Sequence, residues 1–196
     1  MFNLSSKNNL FIIRCVSKRL KSIYYTFFDD MKRLIFLFSF IAITIFSFAQ
    51  GDSTLSPSAR FGLFPQAKFL LPDSVTFFTK ADLKKNKPAM MIVFNPDCEH
   101  CQHETEEIIK NIDKFKGIQI VMSSMVTITE IKAFIEKYQL SKYDNITVGK
   151  DVSYFLPAYY QFNNLPFLAF YDKKHKLISE FSGSLPIEKV LKVFEK

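Results

Sequence analysis

The chain has 196 residues, 48% of them apolar, with 23 Phe and no Trp, enough to build one buried core, and nothing in the composition points to disorder or a repeat array. Its net charge of +7 is concentrated at the start: residues 1–50 carry seven Lys/Arg against two acids, leaving 19 bases and 17 acids in the rest. That near balance excludes a basic face for nucleic acid.

Residues 1–30 precede a second Met and are expected to be an upstream extension outside the mature protein. From Met31 the pattern changes. Lys32 and Arg33 form a short positive region, Leu34–Phe48 is broken only by Ser39, Thr44 and Ser47, and Ser47-Phe48-Ala49 carries small residues where signal peptidase reads. Residues 31–49 are therefore expected to be a signal peptide, and the protein periplasmic or secreted. The apolar run falls short of the roughly 20 residues that span a bilayer. The alternative is an uncleaved anchor, which alone would bring the protein to a membrane. Cys15 lies upstream of this export signal and is expected to take no part in the chemistry.

Residues 50–67 read as a Gly/Ser/Pro-rich linker with a short apolar contact from Phe61, Leu63 and Phe64. The domain proper is expected over 68–196. Lys68–Leu71 and Val75–Thr79 are short strand candidates. Ala89–Phe94 is a continuous apolar run, suited to a strand buried on both faces. Asn95-Pro96-Asp97 breaks it, and a helical pattern runs from Cys98 to Phe115, with Gly117 at its C-terminal end. Ile118–Met122 is a second buried strand. A helix capped by Thr129 runs to Tyr138, and Ile146–Val148 is a third strand. Val152–Phe162 is helical with Pro157 disturbing it. Its aromatic cluster of Tyr154, Phe155, Tyr159, Tyr160 and Phe162 suits a core; a second reading makes part of it an apolar rim for substrate peptides. Pro166–Tyr171 and Leu177–Phe181 form a hairpin around Asp172–Lys176, and Pro186 opens a last helix over Ile187–Phe194. The order predicts an α/β fold, a mixed central sheet flanked by helices.

The exported part holds two cysteines, in Cys98-Glu99-His100-Cys101. A single close pair cannot staple distant segments, so it reads as a redox or a metal pair. It follows a central strand and opens a helix, where the helix N-terminus stabilises the thiolate that thiol–disulfide exchange needs. Cys98 is then the attacking thiol and Cys101 the resolving one. His100 favours the Cys98 thiolate while Asp97 and Glu99 oppose it, leaving the direction of the net effect open. The rival is a copper- or zinc-binding domain using Cys98, Cys101, His100 and His103, although no second Cys/His pair has zinc spacing. Peroxidase chemistry would call for a Pro-x-x-x-Thr/Ser-x-x-Cys run, which Cys98 lacks.

The strand–Cys-x-x-Cys–helix unit and the later Leu165-Pro166, over residues 68–196, resemble the thioredoxin superfamily, and most closely its extracytoplasmic thioredoxin-like reductases. The resemblance implies a thioredoxin-like fold and exchange of disulfides with client proteins, in the reductive direction, fed by a protein electron donor and with neither an organic cofactor nor a metal. It implies that Leu165–Pro166 is a cis bond facing the cysteines, with Leu165 and Pro166 holding substrate. It implies proton transfer by Glu104, three residues after Cys101, where the residues alone also allow a solvated helix glutamate beside Glu106 and Glu107. Two family positions differ: Asp97 replaces the Trp before the first Cys, and Ile92 the buried acid six places before it.

Overall fold

A computed structural model describes residues 32, 33, 35 and 55–195. The chain divides into residues 1–53 and 54–196. In the first part Lys32, Arg33 and Ile35 are helical. The upstream extension, the Ser47–Ala49 processing site and Cys15 lie outside the described residues.

Seven strands form one sheet: β1 Phe69–Leu70, β2 Phe77–Phe78, β3 Ala89–Val93, β4 Gln119–Ser124, β5 Ile146–Asp151, β6 Phe167–Tyr171 and β7 Leu177–Ser182. Among the described residues from 55 on, five α-helices accompany them: α1 Pro57–Phe61, α2 Glu99–Lys110, α3 Ile128–Lys137, α4 Phe155–Tyr160 and α5 Ile187–Val193. The sheet order is β2-β1-β5-β4-β3-β6-β7. β3, β4 and β5 run parallel, whereas β6 and β7 join antiparallel at one side and β1 and β2 at the other. The apolar run of β3 is buried at every position, as a strand covered on both faces must be.

Alternation along the strands sorts the core into two layers. Met90, Ile92, Ile120, Met122, Leu168 and Phe170 pack with Ile108 of α2, Ile131 and Phe134 of α3, and Ile187 and Val190 of α5. Met91, Val93, Val121, Ala169 and Tyr171 pack with Leu156, Tyr159 and Tyr160 of α4 and with Phe64. Helices thus lie on both faces of a mixed sheet, as expected.

Several boundaries differ from the sequence reading. Within the expected linker, Ser56 caps α1, Pro57 stands at its start, Gly62 ends it in the left-handed region, and Phe64 is fully buried; the stretch from residue 55 is built into the domain. Helix α2 stops at Asn111, and Ile112–Phe115 is a separate 3-10 turn, so Gly117 does not terminate the helix. Asn111 ends it by turning its side-chain amide back to the Glu107 carbonyl at 2.9 Å. The cap of α3 is Thr127, not Thr129, and Thr127 and Glu130 form a reciprocal capping box, which satisfies two end groups at once. Strand β5 is three residues longer than the predicted Ile146–Val148. Pro157 sits in the first turn of α4, where a missing N–H breaks no intrahelical bond.

Candidate active site

The turn after β3 delivers Cys98 to the head of α2. Asn95 organises it: its side chain accepts the Asp97 N–H at 2.9 Å, and its carbonyl accepts the Cys98 N–H at 3.1 Å. Gln102, on the first turn of α2, donates to the Pro96 carbonyl at 2.7 Å and ties the turn to the helix. Cys98 occupies the N-cap, and its sulfur accepts the Cys101 N–H at 3.4 Å. A side chain at this position faces backbone donors and the positive end of the helix dipole.

The two thiols differ in setting. Cys98 is half-buried and Cys101 is 1% exposed. Burial, with a hydrogen bond to Cys98 next in size, pushes the Cys101 thiol up to about 12. Both are free thiols in this structure. From the far side the Leu165 carbonyl lies 3.8 Å from Cys98 Sγ, and the Leu165–Pro166 bond is cis. The structure therefore brings Cys98, Cys101, Leu165 and Pro166 together across a separation of 67 residues between Cys98 and Leu165.

Glu104 shares the inward face of α2 with Cys101, one turn along, and is 2% exposed. It is not a solvated helix glutamate. Oε2 accepts the Leu185 N–H at 3.0 Å, while Oε1 has no hydrogen-bond partner. Burial raises the pKa of its carboxyl, against the opposing hydrogen bond from Leu185. His100 and His103 are both exposed on α2. Among the described residues no three His, Cys, Asp or Glu side chains group so as to hold a metal ion.

The aromatic cluster separates into two parts. Tyr159 and Tyr160 are buried in the core under α4, and Phe162 stacks on Phe167 at 5.3 Å. Tyr154 is 62% exposed and lines a cleft of about 480 Å³ with Asn95, Met125, Val126 and Leu165, beside Cys98. The Gly183–Pro186 loop, which covers Glu104, went unnoticed in the sequence; a main-chain donor such as Leu185 N–H has no side-chain signature to find.

A mixed sheet with helices on both faces, a cysteine pair heading the helix after a central parallel strand, and a cis-proline opposite it define a thioredoxin-like protein. The chain belongs to the AhpC/TSA family, whose profile matches residues 65–188. Among solved structures it is similar to a secreted Mycobacterium tuberculosis disulfide oxidoreductase homologous to E. coli DsbE, with 18% identity over 65% of this chain and 93% of the other and a TM-score of 0.55. M. tuberculosis DsbF gives 19% identity, 65% and 92% coverage and a TM-score of 0.56. A peroxiredoxin-like protein from Aquifex aeolicus gives 19% identity, 67% and 83% coverage and a TM-score of 0.52. At these identities the likeness concerns the fold. No curated protein sequence matches the chain.

Proposed function

We propose that the protein is an exported thiol–disulfide oxidoreductase that reduces disulfides in client proteins. The observation that carries this reading is the placement of Cys98: its sulfur caps α2, receives the Cys101 N–H, and faces the Leu165 carbonyl. The Cys98 thiolate attacks a client disulfide, forming a mixed disulfide and expelling one client thiolate, which takes up a proton. Cys101 then loses its proton and attacks Cys98 Sγ. The Cys98–Cys101 disulfide forms and the second client sulfur leaves as a thiolate, which takes up a proton from solvent. Two electrons pass to the client, and a protein dithiol donor restores the pair.

Leu165 and Pro166 form the client-facing edge, with the Leu165 backbone pairing to an extended client segment. His100 tunes the Cys98 thiolate, and Glu104 takes the Cys101 proton. Export is supported by the signal-peptide pattern at residues 31–49. Intact mass of protein from the native envelope should give a mature chain starting at Gln50; residues 1–30 still attached would point to an anchored protein.

Trapping tests the chemistry. Cys101→Ser should accumulate mixed disulfides with clients, since the resolving thiol is gone, and Cys98→Ser should accumulate few or none. Equal trapping by both variants would reverse or abolish the assigned order. The family and the peroxiredoxin-like neighbour favour a second reading, peroxide reduction by the same cysteine. Hydrogen peroxide offered in place of a disulfide separates the two. Slow consumption is expected, because the residues before Cys98 lack the peroxidase run.

A further inference from the structure

The unpartnered oxygen of Glu104 is the buried polar atom of the site that the exchange reaction leaves unexplained. Glu104 lines a cleft of about 410 Å³ between α2 and the segment that joins β7 to α5. Two hydrogen bonds hold that segment against the helix: Ser184 Oγ donates to the His100 carbonyl at 3.1 Å, and Leu185 N–H donates to Glu104 Oε2 at 3.0 Å. His103, Pro186 and Glu188 stand exposed at the rim. The charged or titratable neighbours lining the cleft are His103 and Glu107 from α2 and Glu188 from α5. No residue of this cleft lines the one beside Cys98 and Leu165.

A buried carboxylate oxygen without a protein donor needs water or a proton, and a polar-lined cleft of this size admits water. Cys101 is enclosed and cannot reach solvent itself. It sits one helical turn from Glu104, and a bound client would cover Cys98 and the Leu165 edge. We propose that the α2–α5 cleft is the proton port of Cys101: on closure of the Cys98–Cys101 bond the thiol proton passes to Glu104 and leaves to solvent by this side while the client still occupies the other. This rests on the thiol–disulfide reading. The balance is simple: Cys101 gives its proton to the Glu104 carboxylate and its electron pair to Cys98 Sγ. The client sulfur departs with the pair of the broken bond, and cleft water accepts the proton from Glu104.

The reduced full chain is mixed with dithiobis(nitrobenzoate), which releases one coloured thiolate on attack by Cys98 and a second on closure by Cys101. Relative to the first release, closure in Glu104→Ala should slow by about 10²-fold. Formate, small enough to enter the cleft, should restore at least about tenfold of that loss in proportion to its concentration. His103→Trp, at the rim, should slow closure in the otherwise native chain and remove most of the formate rescue in the double variant. Closure unchanged by Glu104→Ala, or formate rescue equal with and without the Trp, overturns the port. A native chain giving no second release overturns the exchange reading first, and the port with it. Should Glu104→Ala fail to fold, the isosteric Glu104→Gln replaces it and His103→Trp alone decides: closure at the native rate overturns the port.

Discussion

Among the described residues two carboxylates are buried almost completely, and they are bonded in opposite ways. Asp151, at the end of β5, is 0% exposed. Its Oδ1 accepts the Ser153 N–H and hydroxyl, both at 3.2 Å, and its Oδ2 accepts the Leu156 N–H at 2.8 Å. Tyr154, the residue preceding α4, makes no side-chain cap, so Asp151 caps that helix from five residues away. Glu104, on the opposite face of the sheet, has one oxygen bonded and one bare. A carboxylate with both oxygens satisfied fixes the β5–α4 corner. One left half satisfied remains a place where a proton can bind. Burial alone does not distinguish the two; the hydrogen-bond complement does.

The contrast can be broken at either carboxylate or at the thiol next to the half-bonded one. The largest expected effect is at Cys101. Raising its thiol from the usual 9.0 to about 12 cuts the thiolate fraction near neutral pH about a thousandfold. Iodoacetamide at pH 8 should therefore label Cys98 in the folded protein and Cys101 only after denaturation. Comparable labelling of both while folded would show that the enclosure of Cys101 and Glu104 is not real.

Next is the Asp151 corner. Asp151→Ala strands the buried Leu156 N–H donor and should cost about 2 kcal/mol in denaturant unfolding. A loss below about 1 kcal/mol would mean that the corner does not depend on this carboxylate.

A smaller effect is expected from Glu104 on stability, and its sign depends on pH. Its folded-state pKa lies above the ordinary 4.5 because of burial, so the protonated form favours folding. That contribution is complete below the ordinary value and disappears as pH rises through the raised one. Wild type should lose stability relative to Glu104→Gln as the pH climbs from about 4.5, measured by unfolding at several pH values. A constant difference across the range would place Glu104 with Asp151 as a structural group.

The smallest effect concerns Tyr154, held at φ 53° beside Asp151. Relief of left-handed strain by Tyr154→Gly, offset by glycine's entropy, should stabilise by about 0.5 kcal/mol. Destabilisation by a similar amount would show that its ring contributes more than its backbone costs.

The residues that revealed themselves in the sequence are those whose chemistry sits in the side chain and whose partners are close by. Cys98 and Cys101 follow an unbroken apolar strand and open a helix, and that unit stands where the pattern puts it. The Asp172–Lys176 turn is flanked by two apolar runs, and the hairpin is found there with His175 in the left-handed region. Leu165-Pro166 was legible through resemblance, since nothing local brings residue 165 to residue 98. Asp151 escaped notice because an acid after a strand looks the same whether it caps a distant helix or begins a solvated turn. The helix Pro57–Phe61 is not legible although Ser56, Pro57 and Gly62 are helix-end residues in the right order; five residues give too little periodicity to outweigh a linker composition. The cap expected at Thr129 falls at Thr127, and the sign that points there is the reciprocal Glu130 three residues after it.

Gly149 carries a further consequence. A Cβ built there would stand 2.9 Å from Phe69 Cβ and 3.2 Å from the Leu70 carbonyl, so the bare α-carbon is what lets β1 lie against β5. Without that ribbon β5 would be the outermost strand on its side, six residues long, with a free row of main-chain donors and acceptors. Strands of that kind recruit other chains. β1 pairs with Lys150 and Asp151 alone, and the sheet then ends in β2, only two residues long, which offers little to pair with. A side chain at Gly149 would push β1 away and lengthen the open edge of β5, so Gly149→Val is expected to be felt first as aggregation rather than as lost chemistry.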